Sequence, residues 1–446
     1  LGNMSQNPDY ILQPWEAESY VDNLKPSDLE EVGTEGWFEF HKKLMLLNQQ
    51  SILEISTLRE ETVKEWFVSF QKIPILIYEA IQIAVWKNKV FPLLIELNGK
   101  PSNTFMLYSV FYHEGIAVSL LENVLFHADS AETLDDSVLD LVDYAVSNVT
   151  ALILGKEDTE ETVQDDNSSC LEELLQKKAE MEFEMGMKCV SILRYLAEFS
   201  EKLPLCVLSR MLSTHDVPYL LAQLIEKHPW KKINAKDETI IYNGKWEPVR
   251  PNEGDKLCKV EGQVWIGLRE LLLNPKSAPY YEMTEFRIAA LTRLQKYLQE
   301  HVLDQIAPLI ELRRWLSYLS LSSSQSSSSK PAVLVEAMPQ IRSSIMEKYR
   351  KRWKKVARHQ SKYLFTSDKY EIIKTARVLS EAWNIDKLEY TETKKCSLCK
   401  DDASKRCSKC RGVWYCGREC QVKDWANHKA ACAEIIKSKE AYGVRD

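Results

Sequence analysis

The chain has 446 residues, 45% of them apolar, enough to build real cores in roughly two to four domains, which excludes a disordered or fibrous chain. A formal charge of −7 supplies no overall cationic field for nucleic acid or anionic lipid. No apolar run reaches the roughly 18 residues of a membrane span, because the best stretch, 74–97, is interrupted by Glu79, Gln82, Lys87 and Lys89.

From Pro14 to about Leu154, apolar residues recur at helical spacing, as in Trp37, Phe40, Leu44 and Leu47, and again in Leu134, Val138, Leu141, Val142 and Ala145. This predicts an N-terminal helical region, 1–154, of helices joined by short turns. Residues 155–169, GKEDTEETVQDDNSS, are acidic and nearly free of apolar side chains, so an acidic flexible loop is expected there. A second helical region, 170–321, opens with helices over Cys170 to Phe199, Leu203 to Leu212 and Pro218 to Glu226. Ser213 to Asp216 supplies N-capping chemistry for the last of them. Within this region Glu238 to Tyr242 and Lys245 to Val249 flank Asn243-Gly244, the dipeptide best suited to a type I′ turn, which predicts a β-hairpin at 238–249. Helical patterns return at Gly262 to Leu273, Thr284 to Leu298 and Ile306 to Leu319. The serine run that follows reads as a linker, 322–330. A last pair of helices, near Pro339 to Gln360 and Asp368 to Trp383, makes up a C-terminal helical region, 331–390. No fixed-period repeat is present, so the expected fold class is mainly α: an irregular, α-solenoid-like stack of helical hairpins with one inserted β-hairpin.

Cysteine usage then demands a local cause. Of eleven cysteines, Cys170, Cys189, Cys206 and Cys258 are scattered through apolar helical sequence and read as buried thiols, while seven lie between Cys396 and Cys432. Residues 1–10 show no basic region followed by an apolar core, so secretion is not expected and the compartment is taken as reducing, where clustered cysteines hold metal more often than they form disulfides. The spacing is Cys396-x2-Cys399, Cys407-x2-Cys410, Cys416-x3-Cys420 and His428-x3-Cys432. A two-residue gap turns both thiolates onto one ion, and a three-residue gap suits ligands one turn apart on a helix. Eight ligands make two tetrahedral zinc sites with no position left for water or substrate, which is the pattern of structural metal. Cys420, Asp424, His428 and Cys432 follow at intervals of four and share one helical face. Gln421 and Trp425, also four apart, stand beside that face and can form a platform for a peptide, whereas Trp414 and Tyr415 read as core. With seven thiolates and two zinc ions counted, 396–432 carries about +1, too little for strong attraction to phosphate.

All eight ligands, and the phrases WYCGREC (Trp414 to Cys420) and CQVKDWANHKAAC (Cys420 to Cys432), resemble the MYND-type zinc finger family. The resemblance implies a cross-braced module at 396–432, with Cys396, Cys399, Cys416 and Cys420 on one ion and Cys407, Cys410, His428 and Cys432 on the other, followed by a tail at 433–446. It further implies that Gln421 and Trp425 line a shallow groove for short proline-containing peptides. Beyond the finger, GWFEFHKKL (Gly36 to Leu44), SVLDLVDY (Ser137 to Tyr144), LSRMLSTH (Leu208 to His215) and GQVWIGLRELLL (Gly262 to Leu273), together with ASKRCSKC (Ala403 to Cys410) inside it, are similar to a family of MYND-finger proteins that preassemble axonemal dynein arms. That similarity implies a cytoplasmic, non-enzymatic, co-chaperone-like adaptor in cells that make motile cilia, found in the cytoplasm at large or at centriolar satellites or dynein assembly foci. Its implied partners are a leucine-rich-repeat, CS-domain co-factor, heat-shock chaperones and dynein chains as clients. The alternative is a nuclear corepressor-type adaptor that binds proline-containing peptides. MYND fingers also occur inside SET-domain lysine methyltransferases, but there the finger is embedded in the catalytic fold and accompanied by cofactor motifs that this sequence lacks.

Other features have plainer readings. Lys348 to Lys362 carries eight basic residues, yet Ile345, Tyr349, Trp353 and Val356 form one apolar stripe, so an amphipathic helix with a solvated basic face is expected, able to dock an acidic partner. His113-Glu114 lacks the second histidine of a metalloprotease motif, since position 117 is Ala. His127 and His215 read as capping or core residues.

Overall fold

Helices form where the periodicity places them, and several begin on a side chain that satisfies one of their first amide groups. Thr34 Oγ1 accepts from the Trp37 amide at 3.3 Å, and Asp216 Oδ1 accepts from Tyr219 at 3.3 Å, the capping expected of 213–216. The computed structural model describes residues 10–101, 103–155, 170–234, 237–249, 256–321, 338–380, 382, 396–399, 403, 405–410 and 413–441. The expected acidic loop beyond Gly155 and the serine linker lie outside the described residues. Contacts divide the chain into two compact units, Leu1–Ala382 and Trp383–Asp446.

In the larger unit, α1 (Pro14–Asp22), α2 (Glu35–Ser56), α3 (Thr62–Ser69), α4 (Ile73–Lys89), α5 (Phe91–Asn98), α6 (Phe105–Leu125), α7 (Ala128–Glu132) and α8 (Ser137–Leu154) come first. After them run α9 (Cys170–Glu198), α10 (Leu205–Ser209), α11 (Val217–Lys227), α12 (Lys259–Leu273), α13 (Glu285–Thr292), α14 (Glu300–Gln305) and α15 (Leu309–Leu321). The unit closes with α16 (Ile341–Lys348), α17 (Trp353–Leu364) and α18 (Lys369–Ser380). Helix α6 is apolar nearly all round and is therefore central, packed by α2, α4 and α9. From α9 the stack continues through α12 to α15, as an irregular helical stack should. Helices α16, α17 and α18 then turn back onto α4, α5 and α2.

Buried hydrogen bonds fix that return. Asp140 of α8 accepts from the amides of Gln340 and Ile341 at 3.0 and 2.9 Å, capping the start of α16. Gln360 of α17, fully buried, accepts from Trp86 Nε1 at 2.7 Å and donates to the Leu29 carbonyl at 2.5 Å. Gly33, at φ +90°, lies under Leu364, so that a Cβ there would meet Leu364 Cδ2 at 2.6 Å. Gly33→Ala therefore combines backbone strain with overpacking and should cost about 2 kcal/mol or more, read as a lower urea midpoint.

Where the expectations were too simple, packing supplies the reason. One helix near Pro339 to Gln360 is instead two, broken at 349–352, because Tyr349 turns inward to hydrogen-bond Asp28 at 2.5 Å. The hairpin is the outer part of a three-stranded antiparallel sheet, Lys231–Ile233, Thr239–Tyr242 and Trp246–Pro248 in that order. Its connection has three residues and not a type I′ pair: Tyr242 faces Trp246, and only Gly244 has positive φ, +89°. Phe183 of α9 stacks on Trp246 and meets Tyr242 edge-on, anchoring the sheet through contacts that local sequence does not reveal. Cys189 and Cys258 are buried and Cys206 is half-buried, but Cys170 is exposed in the first turn of α9.

Helix α8 corrects the membrane expectation in part, being long and apolar enough by composition to cross a membrane. It is a core helix in this structure, packed on α9 and α11. Its Asp143 is held by Arg210 at 2.6 and 2.7 Å and by His215 at 2.6 Å; burial opposes ionisation there, but these partners outweigh it and bring the carboxyl down to about 2. Thus His215 is a hydrogen-bond partner of Asp143, and His127 is one of Glu61, 2.9 Å away. His113 and Glu114 face separate buried networks, His113 contacting His41 and Glu79, and Glu114 contacting Lys87 and Tyr144.

Candidate metal centre

Beyond Trp383 the described residues form a short antiparallel ribbon, Lys405–Arg406 with Trp414–Tyr415, followed by α19 (Arg418–Ala441), which continues past Cys432 into the expected tail. The ribbon is two residues per strand, too little to stand alone. Extra backbone bonds fasten it at either side: Ser397 N donates to the Trp414 carbonyl and Cys407 N to the Val413 carbonyl, both at 2.9 Å. These bonds bring the two CxxC turns against the start of α19.

Two tetrads result. Cys396, Cys399, Cys416 and Cys420 converge in one, and Cys407, Cys410, His428 and Cys432 in the other, with the ligand atoms of each within 4.8 Å of one another. A tetrahedral ion with sulfur at 2.3 Å requires sulfurs about 3.8 Å apart and a sulfur–nitrogen edge of about 3.6 Å. Cys399 and Cys416 stand at 3.4 Å, Cys416 and Cys420 at 3.5 Å, Cys420 and Cys399 at 3.8 Å, and Cys410 Sγ lies 3.4 Å from His428 Nε2. Both donor sets therefore fit zinc, and in each all four tetrahedral positions are taken by protein. The interleaved assignment implied by the family resemblance is the one the structure places together.

One thiol in each site is lowered, whereas Cys416, Cys420 and Cys432 are raised. Burial would raise Cys396, but backbone amides at Cys399, Cys416 and Leu398 prevail and bring it down to about 6; Cys407 is likewise lowered to about 6, by the Cys410 amide and His428 against burial. Around the second site Tyr415, fully buried, donates to Asp424 Oδ2 at 2.8 Å. Asp424 belongs to the four-spaced series from Cys420 to Cys432, but its role as the acceptor that locks the ribbon to α19 was not anticipated. Trp425 is half-buried, edge-on to the His428 ring at 6.0 Å, with Lys409 Nζ 5.9 Å from its centre. Gln421 is half-buried one turn before it. These two side chains are adjacent on α19, as the four-residue spacing requires.

Comparison with known proteins agrees with this geometry. Residues 396–432 match the MYND finger family. A zinc finger MYND domain-containing protein 10 homolog from Drosophila melanogaster is 35% identical over 449 aligned residues, spanning 95% of this chain and 99% of the relative. Shorter matches are to ubiquitin carboxyl-terminal hydrolase 19 of Arabidopsis thaliana, 42% identical over 12% of this chain and 8% of that protein, and to protein CBFA2T2 of Homo sapiens, 27% identical over 25% and 18%. No solved structure matches. Similarity that runs through the helical unit as well as the finger identifies the chain as belonging to the family of zinc finger MYND domain-containing protein 10.

Proposed function

We propose that this protein is a non-enzymatic adaptor in the cytoplasmic preassembly of axonemal dynein arms. In this reading the helical unit holds a client or chaperone, and the finger docks a second partner, the leucine-rich-repeat, CS-domain co-factor, through a groove at Gln421 and Trp425. The observation that carries it is the pair of complete four-ligand tetrads beside a half-buried Gln421 and Trp425: a zinc ion in either would have no vacancy for substrate, and the adjoining helix face offers a large amphipathic aromatic of the kind that anchors peptides. An adaptor of this type works by raising the local concentration of its partners.

Affinity purification from ciliated cells, with the parent and Trp425→Ala side by side, tests the reading. The parent should bring down the co-factor, heat-shock chaperones and dynein chains. The variant should keep two zinc ions per chain while losing about tenfold or more of the co-factor, the effect of removing an interface anchor. Equal recovery of the co-factor by both proteins rejects the groove, and a parent that recovers nuclear repressors in place of dynein chains rejects the assembly role.

A further inference from the structure

Helix α17 carries a basic face that the helical unit leaves unneutralised. Lys354, Arg358 and Lys362 follow at four-residue spacing along it, Lys355 flanks them, and Lys351 stands in the turn just before; all five are exposed. Asp28 pairs with Lys348 and Glu30 with Arg352, but none of these five cations has an ion-pair partner among the described residues. Like charges one helical turn apart repel, so the arrangement is unfavourable in the isolated chain.

The stripe leads into a cavity of about 270 Å³ between the starts of α2 and α6, the end of α17 and α18. Its walls are Phe38, Met106 and Val378, with Tyr363 and Lys362 at the side where the stripe arrives. At its mouth Lys374 is 2.7 Å from Glu35, and Lys362 and Glu371 also line it. A neutral apolar side chain fits such a space, whereas carboxylates fit the stripe.

From this juxtaposition we infer that α17 and the adjoining cavity form a docking site for an acidic protein segment that ends in an apolar anchor residue. From Lys351 to Lys362 the stripe extends about 16 Å, the length of roughly five residues of extended chain. A membrane surface suits it less, because the apolar face of α17, Val356, Ala357 and Leu364, is buried in the protein and unavailable for insertion. Nucleic acid suits it less because a single short stripe on an anionic protein makes few phosphate contacts. Every residue named in this site belongs to the helical unit.

The test is fluorescence anisotropy with the full chain and a labelled peptide of about five glutamates followed by leucine, the length set by the stripe. Binding should weaken about tenfold in Lys354→Glu with Arg358→Glu, and fall steeply as salt rises toward about 0.5 M. The same peptide ending in serine should bind more weakly than the leucine form, and Thr375→Trp, which fills the cavity, should erase that difference. Trp425→Ala should bind the probe like the parent, which separates this site from the groove on the finger. Equal binding by the charge-reversed protein, equal binding of the serine and leucine peptides, or tighter binding of a single-stranded oligonucleotide or of phosphatidylserine vesicles would each overturn the inference.

Discussion

Removing zinc from the intact protein should unfold the C-terminal module and leave the helical unit folded. The buried cluster of the module is Cys396, Cys407, Cys410, Cys432 and Tyr415, supported by partly buried residues such as Ala403, Val413 and Trp425. Four of its five buried residues are themselves ligands, so the metal cannot be lost without the core. In small zinc modules structural binding is worth on the order of 10–16 kcal/mol per site, far above what a few apolar side chains contribute. Release should also be ordered. In the Cys396 site Cys399 is exposed and Cys416 and Cys420 half-buried, whereas all four ligands of the Cys407 site are buried. A strong chelator with a colorimetric zinc indicator should therefore remove one ion faster than the other, and the slower phase should coincide with loss of ellipticity from the helix Arg418–Ala441. Trypsin should then cut at Lys405, Arg406 and Lys409 while α1 to α18 stay protected. Unchanged protection of those sites after both ions have left would show that the module folds without metal.

The finger was the most legible part of the chain because its determinants are local. Ligand type and spacing are properties of neighbouring residues, and the four-residue series from Cys420 to Cys432 reports its own helix. What the spacing left open was pairing, since CxxC turns can combine in more than one way. The bonds that decide it, Ser397 to Trp414 and Cys407 to Val413, join backbone groups and leave no trace in side-chain identity. The helices were legible for the same reason as the ligands, through periodicity. Elements defined by distant partners were not. Strand Lys231–Ile233 has too few residues to show alternation and exists because Thr239–Tyr242 pairs with it. The break at 349–352 depends on Asp28, more than three hundred residues away in sequence. Helix α8 reads by composition like a span, and only its packing and the partners of Asp140 and Asp143 make it a core helix.

Lys87→Met should be among the most destabilising single substitutions in the helical unit. Lys87 is 8% exposed, and its ammonium lies 2.7 Å from Glu114 Oε2 and 2.8 Å from Glu182 Oε1. Burial disfavours its charge, but the two carboxylates more than compensate and raise its pKa. Glu114 is 1% exposed, and its remaining contact is the Tyr144 hydroxyl, which donates to Oε1 at 2.7 Å. Methionine preserves most of the volume and removes the cation, stranding Glu114 as a buried anion. Breaking such a pair from one side costs about 3–5 kcal/mol, whereas a surface pair is worth less than about 1 kcal/mol. The loss should be read from urea unfolding followed by helical ellipticity. Glu114→Gln placed on top of Lys87→Met should recover most of the stability, because the amide oxygen still accepts from Tyr144 and no charge is left unpaired. A double variant as unstable as Lys87→Met alone would mean that the side-chain volume of Lys87, and not its charge, holds α4, α6 and α9 together.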